Sequence, residues 1–176
     1  PMNVFKTHNE PPRILIADDD PDELFVTSRI LTKAGFSVEL AGSGHEALEK
    51  VDNDRPHLVL LDVVMPGIDG FEVCRQIKSN PLFEDISIVF VSNFTNSPAT
   101  KARGLNAGAD DFIERPFNTE EFLSRINSIF RVKTMERTLK EQQEWMQVML
   151  SSIGDGLVAT DQDRRIVYMN PMAEKL

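Results

Sequence analysis

Three consecutive aspartates, Asp18, Asp19 and Asp20, follow the apolar run RILIA and precede Pro21. Asp62 stands directly after HLVLL, Ser92 after ISIVFV and Arg115 after DFIE. Carboxylates gathered at one place repel one another unless a cation intervenes or one of them takes up a proton. A hard divalent ion with oxygen ligands, most naturally Mg²⁺, resolves the conflict. Such an ion is usually held by one or two carboxylates plus phosphate oxygens, and a phosphoryl group needs hydroxyl and cationic partners of its own. Ser92 and Arg115 are of those types. A carboxylate can also attack phosphorus and carry the group as an acyl phosphate, and Asp62, alone after its run, is the best-placed nucleophile. Asp20 reads as an ordinary N-cap followed by proline at the first helical position, which leaves Asp18 and Asp19 for chemistry. Taken singly, each of these residues reads as a turn or strand-end residue. Their significance depends on whether the fold delivers them to one edge.

The pattern of the chain says that it does. Short apolar runs at 13–17, 36–40, 57–61, 86–91 and 111–114 alternate with segments of helical length, DELFVTSRILTKAG, SGHEALEKVDN, GFEVCRQIKSN and SPATKARGLNAG, and a fifth helix opens at 119. Five βα units in regular alternation predict an α/β protein with a parallel sheet covered on both faces by helices. The first, third and fourth runs are almost continuously apolar, as strands buried on both sides are. Ligands of an open parallel sheet bind beyond the carboxyl ends of its strands, where Asp18, Asp19, Asp62, Ser92 and Arg115 fall. Ser43 with Glu46 and Asn118 with Glu121 predict helix starts, and Gly35 and Gly108 predict helix stops.

Composition narrows the possibilities. The chain has 176 residues, enough for one full domain and an appendage, and 28 acids against 19 bases give a net charge of -9. No dense basic stripe is present, which argues against a nucleic-acid binder that works by neutralising phosphates. A single cysteine, Cys74, excludes an internal disulfide framework and reads as a small apolar side chain on a helix. No apolar stretch approaches a membrane span and no signal-peptide pattern opens the sequence, so the expectation is a cytoplasmic protein that does not engage a membrane. Residues 1–10 read as a polar tail outside the fold. His45 reads as a solvated residue in the first turn of the second helix.

Beyond Asn118 no helix breaker appears until Gly154, predicting one helix of about 33 residues, roughly 50 Å long. With Val132 at position a, the heptad seam is Val132, Met135, Leu139, Gln142, Met146, Met149 and Ile153, apolar at every place but Gln142. The expectation is a parallel two-stranded coiled coil, hence a homodimer; the competing arrangement folds this helix back onto its own domain. The following residues, 154–176, predict a hairpin of LVATD and RIVYMN about DQDRR and a short helix near Asn170, too little to close a core.

The segments ILIADDDP, LVLLDVVMPGIDGFEV, IVFVS and GADDFIERPF resemble the four signature segments of response-regulator receiver domains over residues 11–130. The resemblance implies a flavodoxin-like sheet of order 2-1-3-4-5, a phosphoacceptor at Asp62, and Mg²⁺ held directly by Asp19, through water by Asp18, and through the backbone carbonyl of Val64. It implies Ser92 and Phe112 as the switch hydroxyl and aromatic, a histidine kinase as the phosphoryl donor, and a commonly cis peptide before Pro116. Asp69 and Gly70 would belong to the turn after the site, glycine supplying backbone angles that other residues avoid. Two positions depart from the pattern: Arg115 stands where receivers normally carry lysine, and Asn93 where they carry alanine or another small residue. The segment 154–176, SSIGDGLVATDQDRRIVYMNPMAEKL in its wider context, resembles the opening of a PAS domain reached through the helix 119–153, which implies a sensor or dimerisation module. The expected function is two-component signalling, with Asp62 phosphorylation relayed through the faces of the fourth and fifth helices to the PAS segment and an output beyond it. Two other classes stay open: a pseudo-receiver scaffold in which Arg115 replaces the cation, and a phosphatase of the haloacid dehalogenase type built on Asp18 and Asp20.

Overall fold

The apolar runs become the middle of a sheet. In the computed structural model, which describes residues 11–93, 103, 104, 106–152, 155–170, 172 and 173, five strands lie in the order β2-β1-β3-β4-β5 and every pairing is parallel. They are β1 (Arg13–Ala17), β2 (Ser37–Ala41), β3 (Leu58–Leu61), β4 (Ser87–Ser92) and β5 (Asp111–Glu114). Helices α1 (Pro21–Lys33), α2 (Gly44–Asp54) and α3 (Gly70–Ser79) connect the first four, a 3₁₀ turn (Pro81–Phe83) precedes β4, and a long helix, Thr119–Ser152, follows β5. The predicted fourth helix falls mostly outside the described residues.

Parallel strands with helices on both faces bury both sets of alternating side chains. Leu15, Ala17, Val59, Leu61, Ile88 and Phe90 join Val51 of α2 and Val73, Cys74 and Ile77 of α3 in one cluster. The alternate residues Ile14, Ile16, Leu58, Leu60, Val89 and Val91 are buried too, as are Leu31 of α1 and Phe122 and Ile126 of the long helix. Each such apolar side chain removed from water stabilises the fold by about 1.5–3 kcal/mol, so the strands that carry the acids are firmly held. Cys74 is in that cluster, and burial pushes its thiol up to about 11.

The helix starts are specified by side chains. Asp20 accepts from the Asp22 amide at 2.9 Å, Ser43 from Glu46 at 3.2 Å and Asp69 from Glu72 at 2.8 Å. Glu46 does not complete a capping box on Ser43; its carboxylate accepts instead from the Gly42 amide at 2.8 Å. Asn118 accepts from the amides of Glu120 and Glu121, while Glu121 turns to Arg125. Gly35 and Gly108, both at φ +93, stand at the stops expected of them.

The chain divides into two compact units, Pro1–Ile129 and Phe130–Leu176. In the second, β6 (Val158–Thr160) and β7 (Ile166–Met169) pair antiparallel, as the hairpin pattern predicts. Asn170 is fully buried beneath them. Its side chain accepts from the Leu157 and Ala173 amides, both at 2.9 Å, and donates to the carbonyls of Asp155 at 2.9 Å and Leu150 at 3.3 Å. All four hydrogen-bonding positions of one amide side chain therefore tie the end of the long helix to the hairpin.

Candidate functional site

Asp18 and Asp19 follow β1 directly, Asp62 follows β3, Ser92 closes β4 and Arg115 follows β5. Because the strands are parallel and in register, these ends lie on one edge, and the side chains converge. One ligand oxygen from each of Asp18, Asp19 and Asp62 lies within 4.8 Å of the others. Asp18 and Asp62 are buried, whereas Asp19 is exposed.

The backbone fixes the acids. Asp18 Oδ1 accepts from the Asp20 amide at 2.9 Å, and Asp62 Oδ2 from the Val64 amide at 2.8 Å. Ser92 is buried and its hydroxyl hydrogen-bonds Asp62. Arg115 reaches in from the far end of β5 with its side chain 6% exposed, placing Nη1 2.9 Å from Asp18 Oδ2 and 3.9 Å from Asp62 Oδ1. The Arg115–Pro116 peptide is cis. A fourth acid, absent from the expectations drawn from sequence, belongs to this group: Glu23 of α1 has Oε2 3.2 Å from Arg115 Nε. The available signal was the substitution itself, since an arginine in the place of lysine brings extra donors that need partners.

Burial raises the Asp62 carboxyl above the ordinary aspartate value, and the neighbouring Asp18 charge adds to the rise; the Val64 amide, Arg115 and Ser92 pull the other way without cancelling it. A carboxylate that remains costly to ionise beside a second one is the situation a cation relieves. Asp18 Oδ2, buried and with no aligned hydrogen bond despite the ion pair to Arg115, points the same way. The donor set is all oxygen, which suits a hard divalent ion.

Gly70 occupies the turn after the site for a different reason from the one expected. Its φ is not among the positive values, which belong to Gly35, Gly67 and Gly108. A Cβ at Gly70 would instead lie 2.1 Å from the carbonyl oxygen of Asp62, so the start of α3 packs directly on the backbone of the site. Phe112 is half-buried in β5 with its ring 6.2 Å from that of Phe90, and it borders a cavity of about 280 Å³ that Phe117, Phe122 and Arg125 also line. Asn93 is exposed. Asp20, one half of the phosphatase pairing, is engaged as the cap of α1.

A doubly wound, flavodoxin-like α/β domain with three acids, a hydroxyl and a guanidinium at the carboxyl edge of its sheet defines the class. The model of the response regulator receiver domain matches residues 14–127, and the chain belongs to that family. It is 44% identical over 124 residues to the response regulator MprA of Mycolicibacterium vanbaalenii, covering 70% of this chain and 52% of that protein. The chain thus spans about half the length of the curated relatives it matches. Among solved structures it resembles a receiver domain protein (CheY-like) from Methanospirillum hungatei, with 31% identity, a TM-score of 0.68 and coverage of 72% of this chain and 99% of that one. It also resembles the signal receiver domain of a signal transduction histidine kinase from Syntrophus aciditrophicus, with 31% identity, a TM-score of 0.63 and coverage of 67% and 89%. Among the described residues no helix is long and apolar enough to cross a membrane.

Proposed function

We propose that the chain is a phosphorylation-controlled signalling module in which Asp62 accepts a phosphoryl group from a partner histidine kinase. The carboxylate oxygen of Asp62 attacks phosphorus, the bond from phosphorus to the donor imidazole breaks, and an acyl phosphate forms on the aspartate. The observation that carries this reading is Asp62 itself, at the end of the central strand with Asp18 and Asp19 within 4.8 Å and Arg115 at 3.9 Å. Mg²⁺ would be held by Asp19 and Asp62, with the Val64 carbonyl completing the protein's share. Asp18, whose oxygens already face the Asp20 amide and Arg115, suits contact through water. The ion would supply charge neutralisation at the phosphoryl oxygens. Ser92 and Arg115 then hold the group, and Phe112 repacks beside Phe90.

The output route is the long helix. Val132, Met135, Leu139, Met146 and Met149, five places of the heptad seam, are exposed, and a second copy of this chain would cover them as a parallel coiled coil. The hairpin and the Asn170 hub would be the opening of a PAS module that receives the change through this helix. Incubation with a small phosphodonor and Mg²⁺ should add the mass of one phosphoryl group to the protein and none to an intact Asp62→Ala variant. An equal gain in that variant would remove Asp62 from the role.

The pseudo-receiver reading has one observation in its favour, the Arg115–Asp18 ion pair at 2.9 Å. Arg115 favours the ionised Asp62 but does not offset burial and the Asp18 charge, which leaves the site a use for a cation. Titration calorimetry separates the two: the scaffold takes up no Mg²⁺.

A further inference from the structure

An ammonium group is one compact charge, but a guanidinium carries five N–H donors in a rigid plane. Two different acids lie beside two different nitrogens of Arg115, Asp18 Oδ2 2.9 Å from Nη1 and Glu23 Oε2 3.2 Å from Nε, both as ion pairs with no aligned hydrogen bond. The nitrogen nearest Asp62 is again Nη1, at 3.9 Å from Oδ1. Because the group is rigid and planar, counter-charges beside Nε and Nη1 together restrict where Nη1 can point. The side chain of Arg115 is 6% exposed and that of Glu23 32%, so water screens the pair on one side only. Glu23 sits in the first turn of α1, an element anchored to the same loop as Asp18 and Asp19.

Resting on the phosphoacceptor reading, we infer that Glu23 is a positioning residue that braces Arg115 by its Nε end, so that Nη1 stays directed at the place where the phosphoryl oxygens of Asp62 arrive. Without Glu23 the guanidinium keeps its charge, loses the counter-charge on its Nε side and settles onto Asp18. Plain electrostatics predicts the opposite, because removing a negative charge beside an anion site should tighten anion binding. The sign of the effect therefore discriminates.

The test is calorimetric titration with beryllofluoride, a phosphoryl mimic, in saturating Mg²⁺. Glu23→Gln should weaken binding by about fivefold or more, and Glu23→Ala by at least as much. In an R115K background, where the shorter reach of an ammonium cannot serve Glu23 and Asp62 together, adding Glu23→Gln should leave affinity within about twofold, as a double-mutant cycle requires of a coupled pair. Melting curves of the metal-free proteins should show the same coupling, with non-additive shifts of about 2–4 °C. Unchanged or tighter binding in Glu23→Gln, or an equal loss in the R115K background, overturns the brace. A parent protein that ignores beryllofluoride altogether would instead overturn the phosphoacceptor reading, and the inference with it.

Discussion

Asp62 occupies an environment of opposed influences. The Val64 amide, the Ser92 hydroxyl and Arg115 favour its ionised form, yet burial and the Asp18 charge outweigh them and the carboxyl titrates above the ordinary aspartate value. The folded protein therefore binds this proton more tightly than the unfolded chain does. Stability linked to it is fully present below the ordinary aspartate value and is lost as pH rises through the raised one. At neutral pH the ionised side chain destabilises the metal-free protein. Asp62→Asn should consequently melt at a higher temperature than the parent at neutral pH in chelator, and the gap should close as pH falls into the ordinary aspartate range. A gap that stays constant with pH would show that the charge is not its cause. Most of this site could be found in the sequence, because each member falls within two residues after the end of an apolar run. Glu23 could not be found that way, since it sits inside α1 and its relevance comes from how far Arg115 reaches, a distance that sequence spacing does not contain.

At the scale of elements, the strands were legible because burial on both faces leaves little choice of residue. β1 and β5 have the bounds their runs suggest, while β2 and β4 begin and end one residue later, at Ser37–Ala41 and Ser87–Ser92. The shift makes Ser92 the last residue of its strand, where hydrogen bonding to β5 holds its backbone while its hydroxyl meets Asp62. Hydrogen-bonded register, which apolar pattern does not record, accounts for the difference. The meaning of Gly70 was hidden for a related reason: a glycine at the start of a helix suggests freedom of angle, and only the packing of α3 on the Asp62 carbonyl reveals a need for space. Gly70→Ala should cost about 1–3 kcal/mol in urea denaturation, the range of overpacking with backbone displacement, and, on the proposed phosphoacceptor reading, should slow phosphorylation by moving Asp62. Gly42→Ala is the control, since a Cβ there meets only Glu46 Oε2, at 3.7 Å, and it should stay within about 0.5 kcal/mol. Equal costs at the two positions would mean that the close approach to Asp62 does not limit the element.

At the scale of the whole molecule, the long helix makes two kinds of demand on its surroundings. Near its start, Phe122 and Ile126 are buried by the receiver fold. From Val132 to Met149 the large apolar side chains are exposed, Leu139 and Met146 each at 57%, while the intervening charges pair along the helix, Lys133 with Glu136 and Arg137 with Glu141. Such exposed pairs add only a few tenths of a kcal/mol each, which is too little to explain so long a helix without a partner for its apolar stripe. Trp145, at position g, flanks the heptad seam; Val148, at c, lies off it and a two-stranded coil does not account for its exposure. If a second copy covers the stripe, replacing Leu139 or Met146 with aspartate places a charge in the seam of both helices at once. Sedimentation should then show at least about a tenfold weaker dimer, or roughly 1.4 kcal/mol, whereas Arg137→Ala, at the outward f position, should sediment as the parent does. The receiver should accept a phosphoryl group at an undiminished rate in all three variants, because Asp62 and its partners belong to the unit Pro1–Ile129. A parent that sediments as a monomer across the concentration range, or variants that dimerise as well as it does, would take the second copy away from this helix and leave its apolar stripe for a different partner.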